Sequence, residues 1–412
     1  MEKESEISEV VQLQFDQEIA FLQRLVHAKS TNSSLSETSS AEVPIEKEVA
    51  DVTHHELQRL GFQAKQIGFS PERPNVLCNL PGSGSIDKTL ILTTHMDTVE
   101  PSGYTRDPWG AQIEDGRMYG VGVADAKAQI AAMIYAVHAV QRAGIELAGN
   151  LMLAFVVDEE SGACSPYGTR YLLEQGLLRG DAAIIGEPGN TKVAIGHRGL
   201  YRFRLRIHGK AAHTGQGDAL PGKAGRNAIL DMVHLAQALS EYPLPETHSE
   251  AFPNRKSVLT FPTLIQGGTG INIVPDMCDA YGDVRLLPGL SADEVKRIVV
   301  EQLDTLAITD YRLDDLLVIP AVETNQQAEI VQTLAKAAQR VTGVQPRLEG
   351  AGPACDGWMF ITRGIPTVCG YGVTCGGVHG ADEWVDLESL QRVTTVYAYT
   401  ILHYLQKEKR KW

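Results

Sequence analysis

The 412-residue sequence has no long hydrophobic run, and this absence excludes a membrane-spanning protein. Its longest apolar stretch covers residues 128–140 and includes Gln129 and His138, whereas a helix that crosses a bilayer needs about 20 apolar residues. Residues 1–15 are acidic and lack the apolar core of a secretory signal. We therefore expect a cytoplasmic protein without a membrane partner.

Positive charge is also scarce, since 37 Lys and Arg face 51 Asp and Glu for a formal net charge of −14. Surfaces that bind nucleic acid or anionic membranes need an excess of Lys and Arg. The composition thus predicts a small-molecule partner and no nucleic acid. The six cysteines form no C-x-x-C pair and are too few for a disulfide scaffold, which predicts reduced thiols.

Apolar runs alternate with helical patterns over the first half of the chain. The strand-like segments "NVLCNL", "TLILTTH", "LMLAFVV" and "AAIIGEP" are separated by helix patterns at 126–143 and 166–178. Alternation of this kind predicts an α/β domain with helices on both faces of a sheet. At this length a second domain is expected.

The pattern changes near residue 199. Apolar residues alternate with three arginines in "YRFRLRIHG", which predicts a strand with one face in solvent. Helix patterns at 225–241 and 292–307 and strand patterns that end near residue 320 complete a β-α-β-β-α-β order, typical of a ferredoxin-like α+β insert. The predicted domains are 1–198 and 322–412 for the interrupted α/β domain and 199–321 for the insert.

Polar residues stand at the ends of the buried strand patterns. In an open α/β sheet, ligands bind beyond the carboxyl ends of the strands, so these residues are expected to converge. Two histidines and several carboxylates without a thiolate suit Zn²⁺ or a similar divalent ion. The candidates are His95 and Asp97 in "HMD", Asp125 in "GVADAK", Glu159 and Glu160 in "DEESG", Glu187 in "GEP", and His379 in "GGVHGADEWV".

Each of these signals alone is typical of a solvated loop, and only their conjunction favours a site. The segment "GVGVAD" is a poor dinucleotide fingerprint because its third glycine is replaced. A nucleotide-binding oxidoreductase is therefore the least favoured of the functions considered.

Taken together, the motifs resemble the M20 family of co-catalytic zinc amidohydrolases, particularly the branch of acetylornithine deacetylase and succinyl-diaminopimelate desuccinylase. The resemblance extends from about residue 15 to 407. It implies an open, mixed-sheet, zinc-peptidase-like catalytic domain that is interrupted by a ferredoxin-like lid and dimerisation domain. Its motifs here are "HMDTV", "DPWGAQIEDGRMYGVGVADAK", "DEESG", "GEP", "GKAAHTG", "GGTGINIVPD", "DVRLLPG" and "HGADEWV".

The resemblance also implies two divalent ions per subunit, Zn²⁺ foremost and Co²⁺ as the alternative. Asp97 would orient the imidazole of His95. A glutamate at the position of Glu187 is typical of the deacylases and carboxypeptidases of the family. The implied ligands are His95 and Glu187 for one ion, Glu160 and His379 for the other, and Asp125 as the bridge between them.

Glu159 is left without a metal, and the resemblance implies that it is the general base. It would take a proton from the metal-bound water, which then acts as the metal-bridged hydroxide nucleophile. It would return that proton to the departing amine. The preceding Asp158 is expected to make a loop hydrogen bond only.

The insert is expected to contact the substrate. His213 matches the family histidine that stabilises the tetrahedral oxyanion, in dimeric members from the partner subunit. Asn272 and Arg285 resemble the pair that binds the substrate carboxylate. Arg198 either assists them or braces the junction of the domains. The sequence departs from the family in Ala126 and Ala128 after the bridging aspartate, and in the loop 350–358.

The sequence therefore predicts a cytoplasmic, homodimeric, two-metal hydrolase of N-acyl amino acids. Two alternatives stay open: a metallocarboxypeptidase or dipeptidase, which would cleave a short peptide with the same machinery, and a catalytically inactive homologue that binds a ligand.

Overall fold

The computed structural model describes residues 2–32, 46–162, 166–216 and 225–406. The helices are α1 (Glu2–His27), α2 (Lys47–Arg59), α3 (Ala128–Arg142), α4 (Thr169–Glu174), α5 (Ala228–Glu241), α6 (Ala292–Thr305), α7 (Glu329–Thr342), α8 (Gly357–Ile361) and α9 (Leu387–Tyr404). The strands are β1 (Ala64–Gly68), β2 (Pro74–Leu80), β3 (Thr89–His95), β4 (Gln112–Glu114), β5 (Arg117–Tyr119), β6 (Asn150–Val156), β7 (Ala182–Ile185), β8 (Lys192–His197), β9 (Gly199–His208), β10 (Val258–Gly267), β11 (Met277–Leu286), β12 (Tyr311–Ile319), β13 (Val322–Glu323), β14 (Arg347–Ala351), β15 (Thr367–Val368), β16 (Cys375–Gly376) and β17 (Trp384–Asp386).

By their contacts, the residues fall into two compact units. The first unit extends to Gly196 and resumes at Thr324, and the second covers His197–Glu323. None of the helices within the described ranges is long and apolar enough to cross a membrane. A cytoplasmic location stays a prediction.

A six-stranded sheet forms the centre of the first unit, in the order β1-β2-β6-β3-β7-β15. The strands β6, β3, β7 and β15 run parallel, whereas β1 and β2 are antiparallel to their neighbours. The unbroken apolar runs of β3 and β6 fit this place because both faces of a central parallel strand are buried. Their carboxyl ends therefore meet at one edge of the sheet.

Helices cover both faces of this sheet. The helix α3 is buried along almost its whole length and packs against α1 and α9. On the other face, side chains of the sheet pack with Leu172 of α4 and Phe360 of α8. The predicted helix at 166–178 is shorter in the structure because Gly176 takes a left-handed conformation, with φ 66°, directly after α4.

The second unit is a four-stranded antiparallel sheet in the order β10-β11-β9-β12, and α5 and α6 complete its β-α-β-β-α-β order. Its core contains Phe203, Leu205 and Ile207 of β9, while the arginines that alternate with them are at least partly exposed. A capping box between Ser291 and Glu294 starts α6, as the sequence predicts.

The predicted fold class, an α/β domain of mixed sheets combined with an α+β segment, is thus confirmed. Five of the six cysteines are free thiols, and Cys164 lies outside the described residues.

Candidate metal centre

Three neighbouring parallel strands bring the predicted acids and His95 to the same edge. The register pairs His95 of β3 with Val156 of β6, and Thr93 of β3 with Ile185 of β7. The chain beyond β6 carries Glu159 and Glu160, and the chain beyond β7 carries Glu187. The order of the strands therefore places residues that are far apart in sequence around His95.

Asp125 comes from a turn that precedes α3. The segment Val123–Lys127 is not a regular helix, since Asp125 has φ −119° and ψ 87°. Gly122 starts the turn in a left-handed conformation, with φ 69°, and a Cβ atom there would lie 2.1 Å from the methyl group of Thr98. The turn thus requires glycine at this position.

Two groups of potential ligands share Asp125. One contains His95, Asp125 and Glu187, the other contains Asp125, Glu160 and His379, and within each group the ligand atoms lie within 4.8 Å of one another. His95 Nε2 lies 3.0 Å from Asp125 Oδ1, whereas His379 Nε2 lies 3.3 Å from Asp125 Oδ2. His379 Nε2 also lies 3.0 Å from Glu160 Oε1. Asp125 therefore presents a different oxygen to each group.

The electrostatics of this cluster fit divalent cations. Burial raises the pKa of Glu159 well above its ordinary value, and the charges of Glu187 and Asp356 add to the effect. Burial and the charge of Asp125 raise the pKa of Glu187 in the same way. Two divalent cations would offset this repulsion, and the imidazole and carboxylate donors are those that Zn²⁺ and Co²⁺ accept.

Asp97 is completely buried beneath His95. Its carboxylate accepts the backbone N–H of Glu160 at 2.9 Å and that of Glu159 at 3.2 Å. His95 Nδ1 lies 2.9 Å from the backbone oxygen of Asp97 and 3.5 Å from its Oδ1. Asp97 thus contacts both the imidazole and the strand end that carries the glutamates.

A buried polar network extends from Asp97, and reasoning from the sequence missed three of its members, Asn32, Arg73 and Glu46. The Asn32 side chain donates to Asp97 Oδ2 and to Asp158 Oδ1, both at 2.9 Å. Arg73 donates to Asp158 Oδ1 at 2.8 Å and to Glu46 Oε2 at 2.7 Å. Asp158 therefore makes the expected hydrogen bonds, but in the interior and to an arginine. An arginine at the start of the apolar run "RPNVLCNL" was the available signal.

Asp356 was also missed. It is 5% exposed, and burial and the charges of Asp97 and Asp158 raise its pKa to about 6. Thr169 donates its hydroxyl to Asp356 Oδ2. Its sequence context, "GPACDGW", contains no pattern that indicates a buried acid.

The remaining predicted residues belong to the second unit. His213 pairs with Ile273, and the N–H of Thr214 donates to the backbone oxygen of Asn272 at 3.0 Å, so His213 and Asn272 lie in adjoining loop segments. Arg285 is exposed on β11 and donates to Asp283 at 2.8 Å. The Arg198 guanidinium lies 5.9 Å from the ring centre of Phe252.

Most of the chain matches a known protein family in sequence. The model of peptidase family M20/M25/M40 matches residues 91–403. The succinyl-diaminopimelate desuccinylase of Methylorubrum extorquens strain PA1 is 30% identical over 359 residues, 83% of this chain and 89% of that protein. The acetylornithine deacetylase of Erwinia tasmaniensis is 28% identical over 367 residues, 84% of this chain and 89% of that protein.

Solved structures share the fold. Aminopeptidase PepT from Bacillus cereus superposes with a TM-score of 0.73 at 21% identity, over 94% of this chain and 98% of that chain. The YXEP protein of Bacillus subtilis, a dinuclear metal binding peptidase from the M20 family, superposes with a TM-score of 0.70 at 17% identity, over 95% and 98% of the two chains.

Fold, site and relatives define a metal-dependent hydrolase that acts on amide bonds. The chain belongs to peptidase family M20/M25/M40, which confirms the resemblance that its motifs predicted.

Proposed function

We propose that this protein is a two-metal amidohydrolase that removes the acyl group from an N-acyl amino acid. The observation that carries the proposal is the sharing of Asp125, which offers one oxygen to His95 and the other to His379. The desuccinylase and deacetylase names of the relatives support the choice of substrate class.

The two ligand groups would each hold one divalent ion, Zn²⁺ or, as the alternative, Co²⁺. Such ions supply a polarised substrate carbonyl and a water molecule that is acidic at neutral pH. His95 and Glu187 would bind one ion, Glu160 and His379 the other, and Asp125 both. Asp97 would keep the His95 ring in its binding orientation, in accordance with the contacts of its carboxylate and backbone oxygen.

Glu159 would act as the general base. It belongs to neither ligand group, although its backbone N–H is held by Asp97 next to that of Glu160. Its carboxylate would accept a proton from the attacking water and transfer it to the nitrogen of the leaving amine. Protonation makes the amine a competent leaving group, so the C–N bond of the amide can break.

The insert 199–321 would serve as lid and dimerisation domain of the catalytic parts 1–198 and 322–412. His213 would stabilise the oxyanion, in its own subunit or across a dimer, and Asn272 and Arg285 would bind the substrate carboxylate. Arg198 would assist these residues or brace the junction.

Exposed apolar side chains support a homodimer through the insert. Within the described ranges, the edge strand β10 is paired on one side only, with β11. Leu264 of this strand is 61% exposed, and Leu230 of the adjacent α5 is 54% exposed. An unpaired edge with apolar side chains invites pairing with a second copy.

The test is release of free amine by the Zn²⁺-loaded or Co²⁺-loaded protein from N-acetyl-ornithine, N-succinyl-diaminopimelate, other N-acyl amino acids and simple dipeptides. Turnover of acylated amino acids would support the proposal and identify the acyl group. Turnover of dipeptides alone would favour the peptidase alternative instead. A protein that binds two metal ions but hydrolyses none of these compounds would favour the inactive homologue.

A substitution of His213 tests the role proposed for the second unit. His213→Ala should lower kcat strongly while the metal content stays at two ions, because His213 would act on the substrate and not on the metal. Unchanged turnover in this variant would remove His213 from the mechanism.

A further inference from the structure

Glu383 is a buried carboxylate to which none of the roles above has been assigned. It is 1% exposed and lies immediately before β17. Its Oε2 accepts the backbone N–H of Gly122 at 2.9 Å. Its Oε1 accepts the N–H groups of Ala124 at 2.8 Å and Asp125 at 3.0 Å. One side chain thus receives three backbone donors from the turn that carries the proposed bridging ligand.

These donors need an acceptor from outside their own segment. The turn departs from helical geometry at Asp125, and the regular helix α3 begins only at Ala128. A buried N–H group without an acceptor destabilises the folded state, so the conformation of the turn depends on what faces it. Glu383 therefore holds the backbone that orients Asp125.

Glu383 also lies in the loop that carries His379. His379 precedes Glu383 by four positions in the loop between β16 and β17. Further backbone contacts attach the end of this loop, since the N–H of Gly120 donates to the backbone oxygen of Glu383 at 3.0 Å and β17 pairs with β5. The segment that carries His379 and the turn that carries Asp125 are thus joined at Glu383.

We propose that Glu383 is a positioning residue that keeps Asp125 and His379 at the spacing required to bind the second divalent ion. The inference rests on the proposed two-metal function. Asp125 belongs to both ligand groups, whereas His379 belongs to one, so loss of Glu383 weakens that second site more than the site of His95 and Glu187.

The substitution Glu383→Gln tests this role. It keeps the size of the side chain, but it replaces one of the two acceptor oxygens with an NH₂ group that would face a backbone donor. Asp382→Asn is the matched control. Asp382 is the neighbouring residue in the same loop and accepts hydrogen bonds from the N–H groups of Thr105 and Arg106 and from the Thr105 hydroxyl, but it is only half-buried and these bonds do not reach the Asp125 turn.

The experiment is a titration of the metal-free full-length protein with Co²⁺, followed by its visible absorption and by competition with a chelator. We expect the wild-type protein and Asp382→Asn to bind two equivalents alike. Glu383→Gln should bind the first equivalent nearly as the wild type does and the second about 10- to 100-fold more weakly, with an altered absorption spectrum. Added Co²⁺ should then restore kcat without a change in KM.

Two results would overturn the inference. The first is wild-type affinity and spectrum for both equivalents in Glu383→Gln. The second is equal weakening in the Asp382→Asn control, which would mean that any disturbance of the loop has this effect. If Glu383→Gln does not fold, Glu383→Asp, which keeps the charge on a shorter side chain, is titrated in its place and must show the same selective loss.

The results that would contradict the proposed function differ from those that would contradict the role of Glu383. A wild-type protein that binds two Co²⁺ ions but hydrolyses no amide removes the proposed activity, whereas the titration still decides the role of Glu383. A wild-type protein that binds fewer than two ions overturns both proposals.

Discussion

Charged residues occur in two contrasting settings in this protein, one in each unit. On the second unit's sheet, Asp279 of β11 accepts hydrogen bonds from Arg204 and Arg206 of β9, and Asp283 pairs with Arg202. In the first unit, acids gather at one sheet edge with imidazoles as partners. The first arrangement is balanced and partly exposed, whereas the second has more acids than basic partners and combines buried and half-buried acids with buried His95 and exposed His379.

The pKa shifts express this difference. Hydrogen bonds from Arg206 and Arg204 hold the pKa of Asp279 well below its usual range. Burial and neighbouring acids do the reverse for Glu159 and Glu187. Acids in a protein are thus no sign of a metal site by themselves. The cluster around Asp125 differs because its own side chains do not supply enough positive charge, and this imbalance fits the proposed divalent ions.

The largest expected effect comes from a change within the buried cluster. Glu159→Gln should lower turnover by about 10²- to 10⁴-fold, the range that a general base contributes, while two metals stay bound. Activity and metal content are measured on the same preparation. Loss of a metal in this variant would mean that Glu159 and Glu160 have exchanged roles.

Removal of metal should destabilise the protein, because the repulsion among the buried acids returns. A ligand present at about 100 times its Kd stabilises the folded state by about 2.7 kcal/mol, so for a chain of this length a chelator should lower Tm by about 3–5 °C. The measurement is thermal unfolding with and without chelator. The drop should be the same in the surface variant Asp279→Asn, and an unchanged Tm in the wild type would contradict the cation requirement.

Glu18 shows how burial alone acts on an acid, since no positively charged residue that the structure describes is among the causes of its pKa shift. It is fully buried in α1, accepts a hydrogen bond from the Thr394 hydroxyl at 2.5 Å, and burial raises its pKa to about 8. The folded state therefore binds a proton that the unfolded state releases near the ordinary pKa of 4.5. The contribution of Glu18 to stability should fall as the pH rises from about 4.5 to 8.

Glu18→Gln removes this dependence. The variant should be more stable than the wild type at pH 8, by a margin on the order of 4 kcal/mol, and the margin should shrink toward pH 5. Urea unfolding at several pH values provides the measurement. A margin that is constant with pH would show that Glu18 is ionised in the folded state throughout.

The smallest effect is expected on the exposed sheet face. Asp279→Asn removes the partner of Arg204 and Arg206, whose side chains are 29% and 30% exposed, and pairs that water can still reach contribute little because solvent screens them. Its Tm and turnover should stay close to those of the wild type. A large loss of stability would mean that the surface pairs hold the strands in register.

Much of the site could be predicted because ligands that follow buried strands have a local signature. His95, Glu160 and Glu187 each come within a few residues of an apolar run, and parallel neighbours bring such ends together. Asn32 and Glu383 have no such signature. Their roles depend on which backbone or side chain faces them across the fold, which a pattern along the chain does not express.

The sequence by itself determined the order of the elements, the two kinds of sheet and the family, because apolar periodicity and ordered motifs are properties of the chain. Only the tertiary structure decided which charged side chains have a partner of opposite charge. Asp158 follows β6 and Asp279 lies within β11, yet Asp158 is buried against Arg73 whereas Asp279 pairs with two partly exposed arginines. The physical reason is that a pKa and a metal preference depend on burial and on neighbours in space, and these are fixed by packing between segments remote in sequence.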